Sequence, residues 1–186
     1  MTPEDRELDS RFFLDHQPLT LFRLARARYA NLSGIGAAQA PGRWNRLGEE
    51  AIYTSTEMGI PILERLAHSP KELIPSNLAL MKIRISGSWV PQINALVDPN
   101  TNGCLWFCRS LSAARDRFNR SGMFAAGVNP FAVAVPSVIV PAWNVVLYPK
   151  GIGFWDHVSL ESLEPFEFDP RLFPENTPVE NSGQDL

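Results

Sequence analysis

Apolar and polar positions alternate with a period of two at several places along this chain, and that period predicts half-buried β-strands. The clearest case is Leu78-Ala-Leu-Met-Lys-Ile-Arg-Ile85. Leu21-Phe-Arg-Leu-Ala25 alternates too, and the reading places Phe22 and Leu24 on the core face with Arg23 opposite. Ala51 to Thr54 forms a short strand after a turn at Gly48, while Val133–Val140 and Val145–Tyr148 are Val-rich enough for buried strands. A helix is expected from Gly59 or Ile60 to His68, because Pro61 is tolerated only in a first turn and Ser69-Pro70 ends the run. A second helix is expected over Ser110–Arg120, with Ser110 as N-cap and Gly122 at the stop position. Asn31 to Gly42, rich in Gly, Ala and Ser, is read as a loop. Glu164 to Leu172 is read as an extended closing segment. With no internal repeat or linker, the elements amount to one α+β domain over residues 19–173. Residues 1–18 are read as an arm and the polar residues 174–186 as a disordered tail.

Composition changes this picture little. At 186 residues, 45% hydrophobic and 20% charged, the chain can bury a sizeable core without disulfides. A net charge of −3 argues against direct nucleic-acid binding through phosphates, but not against a local cationic pocket. Phe131 to Pro149 is uncharged and long enough to span a bilayer. Pro136, Pro141 and Pro149 interrupt it, so it is read as buried strands of a soluble protein, with no membrane partner. The acidic N-terminus carries no apolar signal region, which favours a cytoplasmic location. Cys104 and Cys108, spaced to share a helix face, are read as reduced thiols, and no zinc-ligand spacing completes them.

Candidate chemistry gathers in Pro41-Gly-Arg-Trp-Asn-Arg-Leu-Gly48, Ala51-Ile-Tyr-Thr-Ser55 and Glu64. On the expected helix, Glu64 shares a face with Ile60, Leu63 and Ala67, so its carboxylate must be paired, protonated or turned to a cavity. A structural ion pair with Arg23 or Arg43 is the plain alternative. Arg43 follows a glycine that lets a ligand approach the backbone, and its guanidinium can fork onto phosphate oxygens. Trp44 is read as core. Tyr53 lies on the face opposite Ile52, where its ring can stack on a flat heterocycle. Ser137 is a buried hydroxyl in need of a partner. His16, His68 and His157 are scattered and receive no role. The absence of a Gly-x-Gly-x-x-Gly string argues against hydride chemistry.

An early arginine, Gly42-Arg-Trp-Asn45, Tyr53-Thr-Ser55, a helical glutamate, Val135-Pro-Ser137 and Asn144-Val-x-Leu147 together resemble the RES-domain toxins. Pro165 to Leu172 extends the match, which runs from about Leu21 to Leu172. The resemblance maps the family's arginine, glutamate and serine onto Arg23, Glu64 and Ser137, and its pattern also covers Tyr29, Arg43 and Tyr53. It implies a fold like the ADP-ribosyltransferase catalytic core, consumption of NAD+ as substrate with no prosthetic group, and a partner antitoxin with a helix-turn-helix domain. Glu64, Arg23 and Ser137 would then be catalytic, and Arg23, Tyr29, Arg43 and Tyr53 would hold NAD+.

Three functions fit these residues. The first is a toxin that cleaves the nicotinamide–ribose bond by hydrolysis or phosphorolysis. The second is an ADP-ribosyltransferase acting on a cellular protein. The third is a non-enzymatic NAD-binding module. Both a homo-oligomer and a toxin–antitoxin complex are compatible with the sequence.

Overall fold

The computed structural model describes residues 18–68, 74–87, 90–93, 104–107 and 130–173. The expected helix over Ser110–Arg120, the N-terminal arm, the C-terminal tail and Cys108 lie outside those residues.

In chain order the strands are β1 (Leu19–Arg26), β2 (Ile52–Ser55), β3 (Leu78–Ile85), β4 (Val90–Ile93), β5 (Cys104–Phe107), β6 (Ala132–Pro136), β7 (Trp143–Leu147) and β8 (Val158–Phe166). The helices are α1 (Ile35–Ala38), α2 (Gly59–His68) and α3 (Phe154–His157), with 3₁₀ turns at Ala27–Tyr29 and Pro170–Leu172. The described strands form one sheet in the order β4-β5-β6-β7-β2-β1-β3-β8. β5 runs parallel to β4 and β6, and every other pairing is antiparallel. The architecture is therefore α+β, as expected.

The core is a single cluster on one face of this sheet. Leu19, Leu21 and Ala25 of β1 join Ala79, Met81, Ile83 and Ile85 of β3, and β6, β7 and Phe154 of α3 complete it. The core parity of β1 is thus the one that includes Arg23, which corrects the expected placement of Phe22 and Leu24. Both faces of β1 are covered, by the core on one side and by α2 on the other. Apolar residues therefore stand at both parities, and a five-residue window could not tell them apart.

Other boundaries follow from local chemistry. β6 ends at Pro136, which removes a ladder donor, and not at Val140. The loop Asn31–Gly42 contains the single helical turn α1. The closing segment is mostly strand and starts earlier, at Val158. Cys104 lies in β5, so the expected helical face for the two cysteines does not exist there. Phe131 to Pro149 supplies β6 and β7, both interior strands, which explains its lack of charge. Among the described residues no helix is long and apolar enough to cross a membrane.

One feature of the sheet positions the site. β1 pairs with β3 over its whole length, and β2 pairs with β7 from Ile52 to Ser55. Between β1 and β2 the only matched pair is Phe22 with Ser55. Beyond that point the two strands part, and the sheet opens into a cleft with α2 against β1 and β2.

Candidate functional site

Three cavities, of about 230, 610 and 190 Å³, adjoin at the ring of Tyr53 where β1 and β2 separate. The first is enclosed by Leu24, Ser55, Pro61 and Glu64, with Asn144 across from the helix. The largest takes Arg23 from β1, Tyr29 from the 3₁₀ turn, and Arg43 from the loop before β2. The smallest bridges the other two, since both Arg43 and Glu64 line it. Five of the six residues singled out from sequence thus meet around one cleft.

Tyr53 is held by its hydroxyl and not by its ring. The hydroxyl donates to Asn45 Oδ1 at 2.8 Å and accepts the Trp44 N–H at 3.0 Å. Asn45, only 2% exposed, is fixed in turn by donating to the carbonyls of Ala37 and Ala40 at 2.9 and 3.0 Å. Burial pushes the Tyr53 hydroxyl above its usual range; the charge of Glu49 adds to this, while the Trp44 N–H and Arg43 oppose it. At 37% exposure the ring keeps a free face toward the cleft. Gly42 keeps this space open, because a Cβ at that position would crowd Asn45 Oδ1 and the Tyr53 hydroxyl, both held by other hydrogen bonds. Trp44 is buried, as expected, and its carbonyl accepts from Tyr148 at 2.8 Å.

The Tyr-Thr-Ser string locks β2 onto β7. Thr54 Oγ1 donates to the carbonyl of Val145 and Ser55 Oγ to that of Trp143. These bonds satisfy two buried hydroxyls and tie the floor of the cleft to β7.

Glu64 does not lie on the stripe predicted for it. Ile60 is buried, but Leu63 is 44% exposed and Ala67 is exposed, so the packed face of α2 is rotated from the expected one. Glu64 is half-buried and accepts a 2.9 Å hydrogen bond at Oε1 from Asn144 Nδ2. The ion pair with Arg23 or Arg43, weighed as the plain alternative, does not form.

The arginines are unevenly placed. Arg23 is half-buried, and its Nη1 donates to the carbonyl of Asn31 at 3.3 Å. Burial, and then the charge of Arg65, pull its pKa down from the ordinary arginine range to about 10. Arg43 is exposed on the rim. Tyr29 donates to Gln39 Oε1 at 3.2 Å and carries the Arg28 guanidinium 4.7 Å above its ring.

Ser137 is set apart from the other five. It is fully buried, its Oγ accepts the Ile139 N–H at 3.2 Å, and its own N–H donates to the carbonyl of Ala142. It lines none of the three cavities and braces the loop whose Val138 reaches the smallest of them.

Three cleft residues received no role from the sequence. Asn144 is the one half-buried position in otherwise buried β7, and a polar residue heading a Val-rich strand was a usable signal. Arg65 lines two of the cavities, and burial and the neighbouring Arg26 lower its pKa. His68 lines two as well, its Nδ1–H donating to the Glu64 carbonyl at 2.8 Å. Neither carries a spacing that marks it in the sequence. Among the described residues no group of His, Cys, Asp or Glu could hold a metal ion.

Comparison with known proteins identifies the family of the chain. Residues 20–169 match the RES domain. The chain is 30% identical over 159 residues to Toxin Res of Yersinia enterocolitica, covering 83% of this chain and 99% of that one. It is 26% identical over 145 residues to the Prs ADP-ribosylating toxin of a Sphingobium species, covering 76% of this chain and 86% of the relative. A chain of the Mycobacterium tuberculosis MbcT–MbcA toxin–antitoxin complex has a similar fold, with a TM-score of 0.51 at 20% identity, over 83% of this chain and 86% of the other. With a matched domain over most of its length and curated relatives that align almost end to end, this chain belongs to the RES-domain toxin family.

Proposed function

We infer that this chain is the toxin of a toxin–antitoxin pair and that it cleaves the nicotinamide–ribose bond of NAD+. The observation that carries this reading is the polarity of the cleft. Glu64 lines the two smaller cavities, each shared with one arginine, whereas the largest is lined by five arginines and no acidic residue, and Tyr53 stands where they meet. NAD+ has the matching order of a cationic ring, a ribose and an anionic pyrophosphate.

In this reading Arg23 and Arg43 bind the pyrophosphate, and Tyr53, with Tyr29, offers a ring for stacking. Breaking the ribose C1′–nitrogen bond sends its electron pair to the nicotinamide ring and cancels that ring's positive charge. Positive charge then develops on the ribose, and the fixed Glu64 carboxylate stabilises it electrostatically. Water adding to C1′ with loss of a proton completes hydrolysis; inorganic phosphate in its place completes phosphorolysis. Ser137 supports the reacting end through the loop it braces. NAD+ is consumed as a substrate, and no prosthetic group is invoked.

The test is release of free nicotinamide from NAD+ by the purified chain, with and without inorganic phosphate. Release in either condition supports the reading. None in both, from a folded protein, rejects it.

Transfer of ADP-ribose to a cellular protein is the second reading, favoured by the name of the Sphingobium relative. Label passing from NAD+ to protein in a lysate separates it from hydrolysis. For the partner, we infer an antitoxin with a helix-turn-helix domain, acting with this chain in the cytoplasm. The structural neighbour, solved in a toxin–antitoxin complex, supports an antitoxin.

A further inference from the structure

The largest cavity holds more positive charge than a pyrophosphate requires. Arg23, Arg26, Arg28, Arg43 and Arg65 all line it, and no acidic residue does. Among the described residues none of the five forms an ion pair. Their recorded contacts are the Arg23 bond to the Asn31 carbonyl and the placement of Arg28 over the Tyr29 ring. They also act against one another, Arg65 on Arg23 and Arg26 on Arg65. Clustering like charges without counter-charge is unfavourable unless an anion is present for part of the protein's working cycle.

A dinucleotide pyrophosphate brings two negative charges, which two or three guanidinium groups can satisfy. Arg43 and Arg65 also border the cavities that contain Glu64, so they stand nearest the reacting end. Arg26 and Arg28 line only the large cavity and are exposed at its rim. They are therefore placed for a group farther from the scissile bond. A phosphate monoester there would add a charge of about −1.5 to −2 at neutral pH and three acceptor oxygens.

We propose that the cleft selects a dinucleotide carrying a third phosphate, a monoester on its adenosine side, and that Arg26 and Arg28 are the residues that select it. The proposal rests on the reading of the cleft as a dinucleotide site. It differs from that reading in naming which dinucleotide binds best.

The experiment compares ADP-ribose with ADP-ribose 2′-phosphate as ligands of the wild-type chain, by titration calorimetry at low and physiological salt. Neither ligand has a nicotinamide bond to cleave, so binding is read without turnover. The phosphorylated ligand is expected to bind about tenfold more tightly at low salt, an effect of the size that two exposed charge-assisted contacts supply, and the advantage should shrink as salt rises. Substituting Arg26→Gln and Arg28→Gln together should abolish the advantage and leave ADP-ribose affinity within about twofold, since only rim charges change. Equal binding of the two ligands to the wild type overturns this proposal alone and leaves the arginines as a solvated rim. Failure of both to bind overturns the dinucleotide reading as well.

Discussion

Asn144 Nδ2 lies 2.9 Å from Glu64 Oε1 and ties β7 to α2 across the floor of the cleft. The two residues are 80 positions apart in sequence. The bond leaves the rest of the carboxylate open to the cavities, fixes its direction, and does so without a cation that would neutralise it. A neutral amide is a suitable anchor for a group whose charge is needed elsewhere.

If that charge acts on the developing positive ribose, Glu64→Gln should lower turnover by about 10²–10³, the usual cost of losing one preorganised electrostatic group. The amide oxygen of the glutamine can still accept from Asn144, so the melting temperature should hardly move. Nicotinamide release by the purified variant checks this. Wild-type turnover would show that Glu64 is not the working carboxylate.

Asn144→Ala leaves the charge in place but frees its direction. Here kcat is expected to fall about tenfold or more with KM nearly unchanged, because the lost interaction matters in the transition state and less in binding. The lost hydrogen bond should cost about 1 kcal/mol in denaturant unfolding. A raised KM with unchanged kcat would instead make Asn144 a substrate contact.

How far these residues could be read from sequence depended on whether local rules decide their placement. β3 was legible to the residue because Ala79, Met81, Ile83 and Ile85 face the core, while Lys82 and Arg84 reach Glu161 on the other side. α2 was legible because Pro61 and Ser69-Pro70 bracket it. The facing of β1 was not, since Leu21 meets the core and Leu24 the cleft. The meeting of Glu64 with Asn144, and of Arg65 with Arg23, depends on where β1 parts from β2. No window along the chain contains that information. Asn45 belongs to the Gly42-Arg-Trp-Asn45 string, yet its task of holding the Tyr53 hydroxyl emerges only from the folded loop.

Gly42 tests that loop. Gly42→Ala forces a methyl group onto Asn45 Oδ1 and the Tyr53 hydroxyl, both held by other bonds. Overpacking of this kind costs about 1–3 kcal/mol. The expected result is a lower denaturation midpoint together with weakened dinucleotide binding, because the Tyr53 ring moves with its hydroxyl. Unchanged binding would mean that the ring does not contact the ligand.

Ser137 separates bracing from contact. With its Oγ accepting the Ile139 N–H in a fully buried position, Ser137→Ala should cost about 1 kcal/mol of stability. Its effect on turnover should be less than about tenfold, well short of the loss from Glu64→Gln. Turnover lost as completely as in Glu64→Gln, at an unchanged melting temperature, would place this hydroxyl at the reacting end.

Arg23 is where stability and the proposed ligand binding oppose each other. Its pKa, lowered to about 10 chiefly by burial, means that folding disfavours the charged guanidinium. From about pH 10 up to the ordinary arginine range the unfolded chain holds more protons than the folded one, so this residue makes stability rise with pH only in that window. Near neutrality both states are protonated, and the penalty is constant. Arg23→Gln is therefore expected to raise the melting temperature of the ligand-free chain by about 2–4 °C, roughly 1 kcal/mol, with the same gain at about pH 6 and about pH 8. The same substitution should weaken dinucleotide binding by about tenfold or more, through loss of a charge-assisted contact. Melting curves and titrations on one preparation test both halves together. A variant that melts lower than wild type while still binding the dinucleotide would make Arg23 a structural residue, with the anion held by the arginines around it.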